Sequence, residues 1–209
     1  MPPTPPPSPS STELVLGPAE PRHAAGLASL FASNGYGCYC RFWHFSGTAR
    51  EWLERCAQRP EENEHEMQAA LNARSPEMRG VVATQGEELI GWLKLAPAPA
   101  LPKLYGQRLY KDLPALTGDR TRTFCVACLL VREDQRHRGV ARALLASALE
   151  LAPSWGASAL EAFPRSDPHL ADASLMLGPT RLFLEAGFAV VHDFYPYPVL
   201  RRQLSGAPP

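Results

Sequence analysis

The 209-residue sequence predicts an α/β fold, with a mixed, mostly antiparallel central sheet of about six or seven strands flanked by helices. Two stretches carry most of that reading. Residues 79–84 and 88–96 are rich in strand formers (Val81, Val82, Ile90, Trp92, Leu93) and meet at Gln85-Gly86-Glu87, the pattern of a hairpin. Thr123–Val131 is a continuous run of apolar, β-branched and aromatic residues, as in a buried strand. It leads through a short basic loop into Val140–Leu151, where Val140, Leu144, Leu145, Ala148, Leu149 and Leu151 mark one buried face of a helix.

The other elements follow in order. Residues 13–16 read as a short first strand and 17–20 as a turn. Residues 21–33 form a helix with Leu27, Leu30 and Phe31 on one side. Asn34-Gly35-Tyr36-Gly37 is a loop, because glycine and asparagine accept positive φ. Residues 38–45, Cys-Tyr-Cys-Arg-Phe-Trp-His-Phe, are dense in aromatics and read either as a core segment or as the wall of a pocket. Residues 47–59 and 61–74 are helical on either side of Pro60, and Glu61, Glu62 and Glu64 suit a solvated helix start. Residues 97–122 are a proline-containing connection with a helical turn at 104–110. Connections this long are uncommon unless functional or mobile. With Tyr105 and Tyr110 it reads as a lid or as a solvated surface loop. Residues 158–163 form a strand carrying one acid, Glu161, and residues 164–178 are a loop with Asp167, His169 and Asp172, which suits a cationic molecule. A helix at 180–188 and strands at 189–194 and 199–204 complete the domain.

Length and composition imply a single domain at 13–204, between a disordered Pro-rich tail at 1–12 and a short tail at 205–209. Lys+Arg and Asp+Glu both total 21, so no global field draws the chain to nucleic acid or to an anionic membrane. No apolar run approaches the ~20 residues of a membrane span. Residues 1–12 lack the basic start and apolar core of a secretory signal. Five cysteines, an odd number, then suggest reduced thiols and a cytoplasmic location. Cys38-x-Cys40 and Cys125-x-x-Cys128 raise the question of zinc. Strand alternation puts Cys125 and Cys128 on opposite faces, so buried thiols are expected and no metal.

Chemistry concentrates between the strand Thr123–Val131 and the following helix. Arg132, Arg136, His137 and Arg138 precede Gly139 at the helix start. The first N–H groups of a helix have no intrahelical partner and carry the positive end of its dipole. Glycine admits a phosphate close to the backbone, and arginine adds charge. The alternative is an ordinary turn with solvated arginines. Glu161, an acid in a strand of small and apolar residues, is a candidate general base if burial raises its pKa, or else an arginine-paired or outward-facing carboxylate.

Arg136-x-x-Gly139-x-Ala141, five residues beyond Val131, resembles the pyrophosphate-binding motif of the GNAT superfamily of N-acetyltransferases. Glu185-Ala186-Gly187-Phe188 is similar to the Gly-Phe exit of that family's last helix, and Gly91-Trp92 to its third strand. The resemblance covers roughly residues 13–204. It implies a GNAT-like fold and transfer of an acetyl or short acyl group from acetyl-CoA to a primary amine of a small molecule or peptide. Direct attack in a ternary complex is the implied mechanism, by a monomer or homodimer. It implies cofactor contacts at Leu129, Leu130 and Val131 and at Arg136, His137, Arg138, Gly139, Val140 and Ala141. Tyr39, Trp43 and Trp92 become candidates for the acceptor pocket, with Trp92 facing either pocket or core. One feature departs from the family: Phe183 stands where many members place a proton-donating tyrosine. A binding or sensor module without catalysis is therefore the alternative.

Overall fold

The computed structural model describes residues 13–166, 169 and 177–204. The tails expected at 1–12 and 205–209, together with Asp167 and Asp172, lie outside the described residues. Seven strands form one sheet: β1 (Leu14–Pro18), β2 (Gly80–Gln85), β3 (Glu88–Pro97), β4 (Thr123–Val131), β5 (Ala159–Ala162), β6 (Ala189–His192) and β7 (Val199–Gln203). Their order is β1-β2-β3-β4-β5-β7-β6, antiparallel throughout except for the parallel pair β4–β5. This is the mixed, mostly antiparallel sheet the sequence predicts. The helices are α1 (Ala24–Ser33), α2 (Ala49–Gln58), α3 (Pro60–Asn72), α4 (Pro102–Tyr105), α5 (Val140–Leu151) and α6 (Thr180–Glu185). Local chemistry starts two of them. Thr48 and Glu51 form a reciprocal capping box at α2, and Pro60 opens α3, where its missing N–H costs nothing.

Apolar side chains cover both faces of the sheet. On one, Leu93, Leu95, Phe124 and Val126 pack under Leu144, Leu145 and Phe183 of α5 and α6. On the other, Val82, Trp92 and Leu130 meet Leu27, Leu30 and Phe31 of α1 and Met67 and Leu71 of α3. Further along that second face, Leu101, Leu104 and Tyr110 pack on Ala96, Cys125 and Phe163. The long 97–122 connection is thus an extension of the core. Leucines in its short helical turns gave little periodic signal because no turn is long enough to repeat a pattern.

The β3–β4 register slips by one residue: Lys94 pairs with Cys128 but Leu95 with Val126. Ala127 is the extra residue of a β-bulge, which resets the alternation of the strand. Before it, Phe124 and Val126 face α5; after it, Leu129 and Val131 do. Cys125 and Cys128 therefore both face the second side, among the two clusters packed there. The opposite-face expectation fails because a bulge is invisible to simple parity counting.

α5 lies close against the hairpin. A Cβ at Gly91 would stand 3.0 Å from both Leu144 Cδ1 and Val140 Cγ1. Replacing the fully buried Leu144 by alanine removes the contact that docks α5. It should lower stability by about 2–5 kcal/mol. Urea unfolding would show this as a lower midpoint at unchanged slope.

Candidate functional site

β5 ends at Ala162, opposite Val126, whereas β4 continues to Val131 with no strand among the described residues on that edge. The gap opens a cleft of about 690 Å³, within the size range of small-molecule sites. Cys128 to Val131 form one wall, and Gly178, Pro179 and Leu182, at the start of α6, form the other. Phe31, Tyr36 and Cys38 close it on the side of α1.

The loop from β4 to α5 lies along this cleft. His137 (φ 61°) and Gly139 (φ 83°) both adopt left-handed backbone conformations. At Gly139 a Cβ would meet nothing within 4 Å, so backbone conformation and not space selects glycine there. Gly139 caps α5 without a side chain, which leaves the first N–H groups of the helix available. Left-handed residues next to a helix start make a concave row of donors suited to an anion.

The predicted residues largely come together. Leu129, Leu130, Val131, Arg136, His137, Gly139, Val140 and Ala141 all line the cleft, while Arg138 is exposed and outside the lining. Arg136 has a job the sequence did not suggest. Its Nη2 donates to Asn34 Oδ1 at 2.7 Å and its Nε to the Val131 carbonyl at 3.2 Å, tying the loop to the end of α1. Across the rim, Arg142 of α5 pairs with Glu185 of α6 at 2.5 Å.

Glu161 is placed otherwise. It is fully buried and lies directly across from Arg201 in the β5–β7 pairing. Arg201 Nε and Nη2 reach Oε1 at 2.8 and 2.6 Å, while Oε2 accepts from Tyr105 Oη at 2.8 Å and from Arg120. Of the readings open to it, this is the arginine-paired carboxylate. Both oxygens are engaged, and Glu161 does not line the cleft. Burial, with Cys125 and Glu161 nearby, pushes the Tyr105 phenol far up, so it remains a donor.

Nor do the aromatic candidates line this cleft. Tyr39 packs on Phe31 and Trp92 is fully buried, both within the core under α1 and α3. Trp43 donates its indole N–H to the Ala127 carbonyl at 3.2 Å, satisfying a group beside the bulge. Phe183, at the usual tyrosine position, is core and packs edge-on to Phe188.

Sequence reasoning passed over Lys94. It sits in β3, fully buried, with Nζ 3.0 Å from the Cys40 carbonyl and 2.8 Å from His44 Nε2. Burial, and the charges of Lys94 and Arg41, hold the His44 pKa down at about 3, so the ring is neutral and accepts from the ammonium. The signal was present: a lysine among Trp92, Leu93 and Leu95 contradicts its strand as Glu161 does.

Residues 47–175 match the model of the acetyltransferase (GNAT) family. No curated protein sequence matches the chain. Solved structures do match in fold. The acetyltransferase of GNAT family from Streptococcus pneumoniae superposes with a TM-score of 0.53 at 15% identity, over 92% of this chain and 100% of that one. The PaiA N-acetyltransferase from Thermoplasma acidophilum, solved with coenzyme A, gives 0.52 at 8% identity, over 91% and 99%. Diaminobutyrate acetyltransferase from Paenibacillus lautus, solved with L-2,4-diaminobutyric acid and coenzyme A, gives 0.51 at 14% identity, over 92% and 96%. Among the described residues no helix is long and apolar enough to cross a membrane.

The surroundings of Glu161 lead to a direct expectation. Glu161→Gln leaves Arg120 and Arg201 facing each other across a neutral amide, and should cost about 3–5 kcal/mol of folding stability. Its partners are structural, so any stabilisation by ligand in the cleft should survive the substitution. Unfolding curves with and without ligand separate the two effects.

Proposed function

The chain belongs to the GNAT acetyltransferase family, and from that premise we propose that it transfers an acetyl or similar short acyl group from acetyl-CoA to a primary amine. The observation that carries the reading is the start of α5, capped by no side chain, with left-handed His137 and Gly139, beside the edge of β4 that no described strand covers. That pairing of an anion-attracting helix start with strand-edge backbone groups suits the diphosphate and the pantetheine arm of a coenzyme A ester. Bound there, acetyl-CoA supplies the thioester carbonyl and its thiolate leaving group.

The residues of the chain do the rest. N–H groups of the loop and α5 hold the diphosphate, and Arg136, braced on Asn34, keeps that loop in register. Backbone groups of Leu129, Leu130 and Val131 align the pantetheine arm and polarise the thioester carbonyl, as preorganised donors do for a developing oxyanion. An amine, small or peptidic, attacks directly with both substrates bound, which converts a bimolecular step into a positioned one. Phe183 offers no proton, so either another group of the cleft supplies it or coenzyme A leaves as the thiolate. The second reading is an acyl-CoA sensor without turnover. The engagement of both Glu161 oxygens favours it, since that carboxylate is not free to serve as a base.

Binding and turnover separate these readings. Acetyl-CoA at about 100 times its dissociation constant should stabilise the chain by ~2.7 kcal/mol. Arg136→Ala and Gly139→Val should each weaken binding about tenfold or more, near 1.4 kcal/mol. Release of free coenzyme A that depends on an added amine marks the transferase, and binding without such release marks the sensor. No thermal shift with acetyl-CoA would remove both.

A further inference from the structure

We propose that Cys128 and Cys40 are an oxidisable dithiol at the α1 side of the cleft, closed to a disulfide by a small disulfide molecule that enters there. Cys128 follows the bulge, faces the second side of the sheet and lines the cleft. Cys40 lies behind it in the same buried cluster, where Lys94, the cross-strand partner of Cys128, reaches the Cys40 carbonyl at 3.0 Å. The Trp92 indole N–H also donates to Cys40 Sγ, at 3.2 Å. Tyr39 (φ 41°) and Cys40 (φ 59°) are consecutive non-glycine residues in the left-handed region, a strain that collects at functional positions. The chain accepts this conformation where it turns the Cys40 sulfur to the Trp92 indole and the Cys40 carbonyl to Lys94.

The charges nearby give the pair its reactivity. Lys94 of β3 is fully buried, and among the described residues no carboxylate reaches ion-pair distance of it. Arg41, from the segment that carries Cys40, adds a second cation and is held by Glu66 and Glu77. His44 is neutral, and its Nδ1 lies 3.7 Å from Glu77. Cys38 is a third thiol, pushed up by burial. The acid best placed to balance the Lys94 ammonium is therefore Cys40. Burial alone would raise the Cys40 pKa, but the Cys128 hydrogen bond, the Lys94 charge and the Trp92 N–H outweigh it and hold the thiol down. Cys128 is pushed up by its interaction with the Cys40 thiol and by burial.

The exchange balances. As Cys128 attacks one sulfur of the small disulfide, its proton passes to the Cys40 thiolate and the first small thiolate departs. Cys40 then attacks the Cys128 sulfur, and the second small thiolate leaves. The proton from Cys128 and the one Cys40 shares with Lys94 go to the two small thiolates. Two protein thiols are oxidised, one small disulfide is reduced to two thiols, and Lys94 is left neutral.

The experiment uses the reduced full chain and oxidised glutathione. Free thiols are alkylated at intervals and all five cysteines mapped by mass spectrometry. The expected product links Cys40 to Cys128, with Cys38 and Cys56 still alkylated. Cys40→Ser should stop at a glutathione mixed disulfide on Cys128. Lys94→Met should slow the reaction about tenfold or more, the change that one unit of thiol pKa makes in thiolate fraction. Glutathione remaining on Cys128 in the wild-type chain, reaction at Cys38 or Cys56 instead, or no reaction overturns the proposal. The wild-type map decides this even if a variant fails to fold. A chain that acetyl-CoA does not stabilise would remove the transferase reading and leave the disulfide map untouched.

Discussion

The parallel pairing of β4 with β5 stops at Val126 and Ala162, and the rest of the site depends on where it stops. Had β5 run as far as β4, the edge groups of Cys128 to Val131 would be spent in a ladder, and α5 and α6 would have closed over them. The bulge at Ala127 stands at the same point. It ends the regular register with β3, and Trp43 takes the carbonyl beside it so that no buried acceptor is orphaned. Beyond it, one strand edge and one helix start both present donors to the same cavity. Neither needs a catalytic side chain to be useful.

Two buried ions in the sheet show opposite solutions to one problem. Glu161 is surrounded beyond need, with Arg201 across the strand pair, Arg120 and the Tyr105 hydroxyl all turned to it. Such a carboxylate is fixed in position. Lys94 has a carbonyl, a neutral imidazole and thiols. Its charge is held by groups that can change their own protonation, and desolvation holds its pKa down. A buried charge is inert or reactive according to whether its partner can give way.

Much of this was legible beforehand. Thr123–Val131 and Val140–Leu151 appear in the structure with the ends read from sequence, because a long apolar run and a strict helical period each leave one solution. The loop between them was legible too, since Gly139 and the apolar residues about it mark a strand passing into a helix. What escaped depends on contacts distant in sequence. Arg136 reads as a free cation until Asn34, far earlier in the chain, is seen to hold it. Glu161 reads equally as a base or as an arginine-paired acid until Arg120 and Arg201 are seen to converge on it. Trp92 and Tyr39 look alike as pocket or core, because aromatic residues satisfy both. The bulge at Ala127 leaves no trace in composition, and it alone reverses which cysteines share a face.

The segment between β3 and β4 has a further consequence for how such a domain can change over time. Surface connections ordinarily tolerate insertion and loss, since lengthening a free loop is inexpensive. Here the connection supplies Tyr105 and Arg120 to a carboxylate at the centre of the sheet, and the Ala115 carbonyl to Arg201. A descendant that shortened this segment would strand a buried anion, so the segment and the acid must be exchanged as one unit. The second side of the sheet can diversify by replacing the whole assembly, including Glu161 and Arg201, and hardly at all by trimming it.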